Sequence, residues 1–283
     1  MKKLEFIGIC EGMGYEVNET IDYNNSRRVS VHRPGETVGI SMTEVNLLDM
    51  LRDMNDIDDV KEFMEKVLTD DVKQNCKNII ENLKDKEYVL NNVFPILLPR
   101  TQIYEASNDI ITTIPSNAED LIIIYKVNFE HILHEEGIGS IALTKNICRE
   151  MDIPVDEMKL KAVENFRRNV SIRTMGEIMV ELMGNSDFLP VIEDECNQMI
   201  VVSNKNMRFG AYGLADEYTL NKACDKLHTD SIIIIPSSIH EVIIVSDKNK
   251  PLDFDSMIKD VNESEIPVSD RLSDHHYTYH RHN

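Results

Sequence analysis

The chain has 283 residues, 42% of them hydrophobic, and its fifty acidic against thirty basic side chains leave a net charge of −20. A membrane-spanning helix needs about 20 apolar residues in a row; the longest apolar runs here hold about five, so a soluble protein without a membrane partner is expected. Nucleic-acid binding works by cations that replace released counterions, so the acidic charge disfavours it.

The opening residues, MKKLEFIGIC, carry two lysines, but Glu5 breaks the apolar stretch and no small-residue cleavage site follows. They do not read as a signal peptide, and a cytoplasmic location is expected. Cys10, Cys76, Cys148, Cys196 and Cys224 are odd in number, far apart and without a CxxC pair, which fits reduced, buried thiols. A chain of this length buries roughly three-quarters of its unfolded surface and needs no disulfide or metal to fold.

Residues 3–13 are predicted to form a helix, followed by a three-strand meander over Tyr15–Asp22, Arg27–Arg33 and Thr37–Ser41. Asn24-Asn25 tolerates the positive φ of a tight hairpin, and Pro34-Gly35 supplies the next turn. Val60, Phe63, Met64, Val67 and Leu68 fall at i, i+3, i+4, i+7 and i+8, one apolar helical stripe. Val72, Cys76, Ile79, Ile80 and Leu83 form a second, with Asp70 as N-cap between them. Residues 44–71 hold ten acidic side chains against Arg52, Lys61 and Lys66, and are predicted to be a helical, strongly negative surface.

Strands are predicted at Tyr88–Leu98, Leu121–Val127 and Ser140–Leu143, while 99–118 gives no readable pattern. Thr144 would cap a short helix to Met151. Pro154 sits near the start of another, on which Met158, Ala162 and Phe166 share a face. Thr174-Met-Gly-Glu177 is a capping box, and Gly184-Asn185 would end that helix. The final hundred residues give a strand at Met199–Ser203, an RFGAYG loop and a helix carrying Leu220, Ala223, Cys224 and Leu227. Strands Ile232–Ile235 and Val242–Ser246 follow, then a helix with Phe254, Met257, Ile258 and Val261, and a short strand at Tyr277 and Tyr279. That β-α-β-β-α-β order is the order of a split βαβ, ferredoxin-like unit. The expected fold is α+β in three regions: an N-terminal helical and meander region (1–87), a central αβ region (88–190) and this C-terminal unit (191–283).

Chemistry is sparse. In PSSIHE, Ser238 and His240 lie two apart and point to one side of an extended chain, with Glu241 adjacent. Superficially they look like a nucleophile and base. The same residues also suit a turn: proline ends the ladder of the Ile232–Ile235 strand, and serines bond the freed backbone groups. His131 and His134 in HILHEEG are spaced to share a helix face as two metal ligands, but the order is not HExxH and no third ligand is evident. The tail DHHYTYHRHN packs His275, His276, His280 and His282 together without fixed geometry. No GxxxxGK[ST] loop or GxSxG elbow occurs, the glycine loops are too sparse for a nucleotide fingerprint, and no cofactor is expected.

The segments VVSNKNMRFGAYGL, IIIIPSSIHEVIIV and DVNESEIPVSDRLSDHHYTY, with GSIALTKNICREMDIPVDEMKLKAVEN more weakly, resemble an uncharacterised bacterial family, domain of unknown function 5688. The resemblance covers most of residues 88–280 and implies a small cytosolic protein of anaerobic bacteria, in some cases near mobile elements. It brings no activity with it. The leading expectation is a non-enzymatic protein–protein interaction or regulatory protein with a basic partner, docking on Asp49, Asp53, Asp56, Asp58, Asp59, Glu62 and Glu65. The alternatives are a hydrolase-type enzyme using Ser238, His240 and Glu241, and an acidic inhibitor that imitates DNA.

Overall fold

The structure, a computed structural model, describes residues 1–21, 27–35, 39–102, 109–129, 139–183, 198–247 and 253–281. The chain divides into two compact units: Met1–Val89 with Ile103–Asn108 and Asn128–Ser140, and Leu90–Gln102 with Asp109–Val127 and Ile141–Asn283.

The first unit opens with helix α1 (Lys3–Gly12) and an antiparallel meander of β1 (Glu16–Ile21), β2 (Arg27–His32) and β3 (Gly39–Thr43). Gly35 takes the left-handed φ of +75° expected of the Pro34-Gly35 turn; Asn24-Asn25 lies outside the described residues. Helices α2 (Glu44–Asp53), α3 (Ile57–Val67) and α4 (Asp70–Asn82) follow. Leu47 and Leu51, then Val60 and Met64, are spaced one turn apart and close over Phe6, Cys10, Val29 and Val31, all of them buried. Asp56 starts α3: its carboxylate accepts from the N–H groups of Asp58 and Asp59, and the Asp59 carboxylate reaches back to the Asp56 N–H. The side chains of Asp70, Val72 and Cys76 lie outside the described residues.

The strand predicted from Tyr88 starts only at β4 (Val93–Pro99), because Tyr88–Asn92 belongs to helix α5 (Lys86–Asn92). Asp85 sets that helix going, its carboxylate accepting from Glu87 N–H at 2.9 Å and its carbonyl from Val89 N–H at 3.0 Å. Strand β6 (Leu121–Phe129) pairs with β4, with the two-residue β5 (Thr112–Thr113) and with β7 (Gly139–Ala142). Thr144 caps α6 (Lys145–Glu150) as expected, and α7 (Val155–Asn169) buries Met158, Ala162 and Phe166. Asn165 of α7 donates to the carbonyls of Leu90 and Val93 at 2.9 and 2.7 Å, which fastens α7 across the start of β4.

A strand that the sequence reading missed, β8 (Val170–Thr174), leaves α7 without a loop. Its last residue opens α8 (Met175–Met183) through the expected capping box, Glu177 N–H to Thr174 Oγ1 at 3.1 Å and Thr174 N–H to Glu177 Oε2 at 2.7 Å. β8 joins β9 (Met199–Asn204), β10 (Ser231–Pro236), β11 (Val242–Ser246) and β12 (Tyr277–His280) in one five-stranded sheet. Part of the central region (88–190) is therefore built into the same sheet as the C-terminal one.

The β-α-β-β-α-β order is present, with α9 (Glu217–Leu227) and α10 (Phe254–Ser264) as its helices. The sheet runs β12-β10-β11-β9-β8, with every described pairing antiparallel. Both crossovers are split, since β11 lies between β9 and β10, and β10 between β11 and β12. The ferredoxin-like order would set the fourth strand beside the first, but β8 occupies that place and β12 pairs with β10 instead. The two crossovers then step toward the same edge from strands of opposite direction, so right-handed connections put their helices on opposite faces. The packing agrees. Phe254 and Ile258 of α10 cover Ile233 and Val245. Val202, on the opposite face, lies against Gly213, which in turn lies close to Thr219 in the first turn of α9. A sheet buried on both faces needs continuous rather than alternating apolar strands. Hence the run of isoleucines, with Ile232, Ile233 and Ile234 all buried.

Candidate functional site

PSSIHE closes the β10–β11 hairpin, and nearly every polar group in it is engaged. Ser238 N–H donates to the Glu241 carbonyl (3.2 Å), His240 N–H to Ser238 Oγ (3.0 Å) and Ser237 Oγ to the Glu241 carboxylate (3.3 Å). Ile239 N–H reaches the Asp270 carbonyl at 2.8 Å. The His240 carbonyl accepts from Gly210 N–H at 2.8 Å and Ser203 Oγ at 2.9 Å. Its imidazole Nδ1 accepts from Phe209 N–H at 3.2 Å, so the ring hydrogen sits on Nε2, which faces Asp270 Oδ2 at 3.7 Å.

The turn brings Ser238 and His240 together but does not couple them as nucleophile and base. Ser238 is buried and its Oγ serves the His240 backbone rather than its ring. A general base must reach the hydroxyl proton it removes. Here the two imidazole nitrogens face Phe209 and Asp270. Glu241 meets Ser237, not His240.

The RFGAYG loop is the other half of this knot. Met207 and Phe209 are left-handed, with φ of 54° and 58°. Successive N–H groups in such a turn can form an anion-binding nest, but this one is filled from within. Asn204 Oδ1 accepts from Asn206 N–H and Arg208 N–H, both at 3.0 Å, and the Asn204 carbonyl accepts from Met207 N–H at 3.0 Å. Phe209 and Gly210 give their N–H groups to His240, so no N–H from 206 to 210 is left for a phosphate. Gly210 is obligatory because a Cβ there would lie 2.3 Å from Ser203 Cα.

The acidic helices divide by use. Asp56 and Asp59 cap α3, and the backbone N–H groups of Asn55 and Asp56 hold the Asp59 carboxyl below its ordinary value. Asp49 pairs with Arg52 and Asp58 with Lys61. Asp53, Glu62 and Glu65 are exposed and have no ion-pair partner among the described residues. Val45, Leu48, Asp49 and Arg52 fall at i, i+3, i+4 and i+7, on the side of α2 away from buried Leu47 and Leu51, and Val45 and Leu48 are exposed.

His131, His134 and His282 lie outside the described residues. The remaining tail histidines are tied down one by one. His276 Nδ1 meets Asp255 Oδ1 at 2.7 Å, His280 Nδ1 meets Ser231 Oγ at 2.9 Å, and His275 stands edge-on to Tyr277 with centroids 4.7 Å apart. Among the described residues no three His, Cys, Asp or Glu side chains converge as metal ligands. Sequence reasoning missed Ser203, Phe209 and Asp270, which no local spacing links to PSSIHE. It also passed over Lys126, the one visible signal, a lone cation inside the apolar β6 run LIIIYKVNF.

Fold and sites define an α+β protein of two units, one with an acid-rich helical face and one with a doubly covered sheet. The chain belongs to a family of unknown function (DUF5688), whose model matches residues 4–281. No curated protein and no solved structure matches it. No helix among the described residues is long and apolar enough to cross a membrane.

Proposed function

We propose that this protein acts by binding another protein, and that its partner docks on the outer face of α2 and α3 with a basic, partly apolar surface. The observation that carries this reading is the set of exposed carboxylates without an ion-pair partner among the described residues, Asp53, Glu62 and Glu65, on the same two helices as exposed Val45, Leu48 and Ile57. Charge supplies steering and selectivity, and the apolar side chains supply area that leaves water on docking. Ser238, spent on the backbone of its own turn, favours this reading over a hydrolase.

The test is affinity capture from native cells followed by titration of the captured partner. Joint reversal of Asp53, Glu62 and Glu65 to Lys should weaken binding at least tenfold. The same number of reversals at Glu119, Asp260 and Glu263 in the other unit should change it little. Affinity should fall steeply between about 50 and 500 mM salt, where the screening length drops well below 10 Å. A partner held equally by both variants, or indifferent to salt, would place the docking surface elsewhere.

A further inference from the structure

Lys126 has no role in the reading above and none in the fold that can be identified from its contacts. It lies on β6 in register with Phe94 of β4, and so on the same sheet face as Ile124 and Ile96, which are buried. The side chain is half-buried, and among the described residues no carboxylate, carbonyl or hydroxyl accepts from its ammonium. Among the described residues its ammonium meets the face of the Phe209 ring, whose centroid lies 5.9 Å from Nζ. That ring is held in place: Phe209 is left-handed, its N–H is bound to His240 Nδ1, and the two rings lie 5.2 Å apart. Left-handed backbone at a residue with a bulky side chain persists only where the surroundings impose it.

We propose that Lys126 is a nucleophilic amine site, walled by Phe94 and Phe209, that takes small aldehydes or ketones as a Schiff base. The amine lone pair attacks the carbonyl carbon and forms the C–N bond. The two amine hydrogens leave with the carbonyl oxygen as water, and the C=N bond remains. Burial alone pushes the Lys126 pKa below its ordinary value, with no nearby charge contributing. An ordinary lysine is neutral at only about 0.04% at pH 7, and a pKa one unit lower raises that fraction tenfold. An amine facing apolar walls, with no acceptor among the described residues, is in the environment that activates lysines toward carbonyls.

The probe is propionaldehyde with cyanoborohydride, which delivers hydride to the imine carbon and fixes the adduct as a secondary amine. It is applied to the folded full chain at pH 7 and read by peptide mass mapping. Lys126 should be alkylated at least about fivefold faster than exposed Lys205, and its rate should level off at a lower pH. Phe209→Leu should shrink that preference while circular dichroism and the Lys205 rate stay unchanged. If that variant does not fold, the wild-type pH profile decides. A Lys126 rate no greater than that of Lys205 would overturn the proposal. So would a Lys126 profile that matches Lys205 but is slowed by inorganic phosphate, since that marks a charged lysine that seats an anion.

Discussion

Gly210→Ala tests whether the knot between RFGAYG and PSSIHE holds the second unit together. The new Cβ would stand 2.3 Å from Ser203 Cα, 2.4 Å from Ser203 C and 2.6 Å from Asn204 N. These are backbone atoms of β9, a central strand, so the loop must lift by more than an ångström. Lifting it breaks Gly210 N–H to the His240 carbonyl and Phe209 N–H to His240 Nδ1. Each buried group left unsatisfied costs about 1–3 kcal/mol, and residual overpacking adds about 1–3 kcal/mol. These terms span about 3–9 kcal/mol. Because the lifted loop regains water for part of what it loses, the expected loss is at the lower end, about 3–5 kcal/mol, severe for one substitution. Gly8→Ala is the control. It lies inside α1, with nothing within 4 Å of its Cβ, and should stabilise the first unit by about 0.5–1 kcal/mol. The chain has no tryptophan, so urea unfolding is best followed by far-ultraviolet circular dichroism. With a slope of about 1–3 kcal/mol per molar urea, Gly210→Ala should move the midpoint of the second unit down by about 1–5 M. If its midpoint stayed with the wild type while Gly8→Ala behaved as expected, the close approach at Ser203 would not be a determinant of stability.

His240→Ala leaves Phe209 N–H without its acceptor and should cost about 1–3 kcal/mol, with Ser238→Ala milder and partner binding retained at temperatures where both are folded. Normal melting with lost binding would instead make the turn a site. The buried thiols Cys10, Cys148 and Cys224 should resist alkylation at pH 8 until the chain unfolds, because burial raises all three and pushes Cys10 to about 11; fast labelling of any of them in folded protein would contradict the packing. Burial works to raise the Glu177 carboxyl, but Lys226 and the Thr174 N–H outweigh it and the folded value is lowered. Its contribution is therefore full above the unfolded carboxylate value of about 4.3 and is lost as pH falls through the lower folded value. Glu177→Gln should flatten the acid limb of a stability-against-pH curve there, and an unchanged limb would show that the box carries no charge-dependent stability.

Where the sequence was readable, turn chemistry and periodicity were unambiguous. Thr144, Pro154 and the Thr174–Glu177 box each announce a helix start, and the polar knot between two isoleucine- and valine-rich runs announces a hairpin. The misreadings fall where a helix runs straight into a strand. Asn92 passes into Val93, and Asn169 into Val170, with no glycine, proline or loop residue between them. Periodicity windows span such junctions and average two patterns into one. Missing β8 had a further effect, since β8 takes the edge beside β9 where a ferredoxin-like fourth strand would pair. The local elements were legible, but their lateral order depended on a strand hidden between two helices. The candidate site failed differently. Ser238, His240 and Glu241 share a hexapeptide, yet the groups that set their chemistry come from Ser203, Phe209 and Asp270, about thirty residues away on either side.

The polar groups differ in how far the fold already occupies them. A hydroxyl or imidazole that already satisfies a partly buried backbone N–H can serve as nucleophile or base only by giving up that bond and leaving the N–H unpaired, at a cost of about 1–3 kcal/mol. Ser238 Oγ and His240 Nδ1 are both in that position. Their substitution should therefore change function only as far as it changes folding. Asp53, Glu62 and Glu65 carry no such obligation, and their reversal should leave melting nearly unchanged while altering what the surface attracts. Lys126 is the reverse of the knot: a half-buried charge whose one favourable contact among the described residues is the face of the Phe209 ring. Removing it should stabilise the chain or leave it neutral, because the cost of half-burying an ammonium with no acceptor among the described residues offsets the ring contact. Lys126→Met, which keeps the apolar stem, should melt no lower than the wild type. A clear loss of stability in Lys126→Met would mean that the amine supports the fold, and the reason for treating it as a site would disappear.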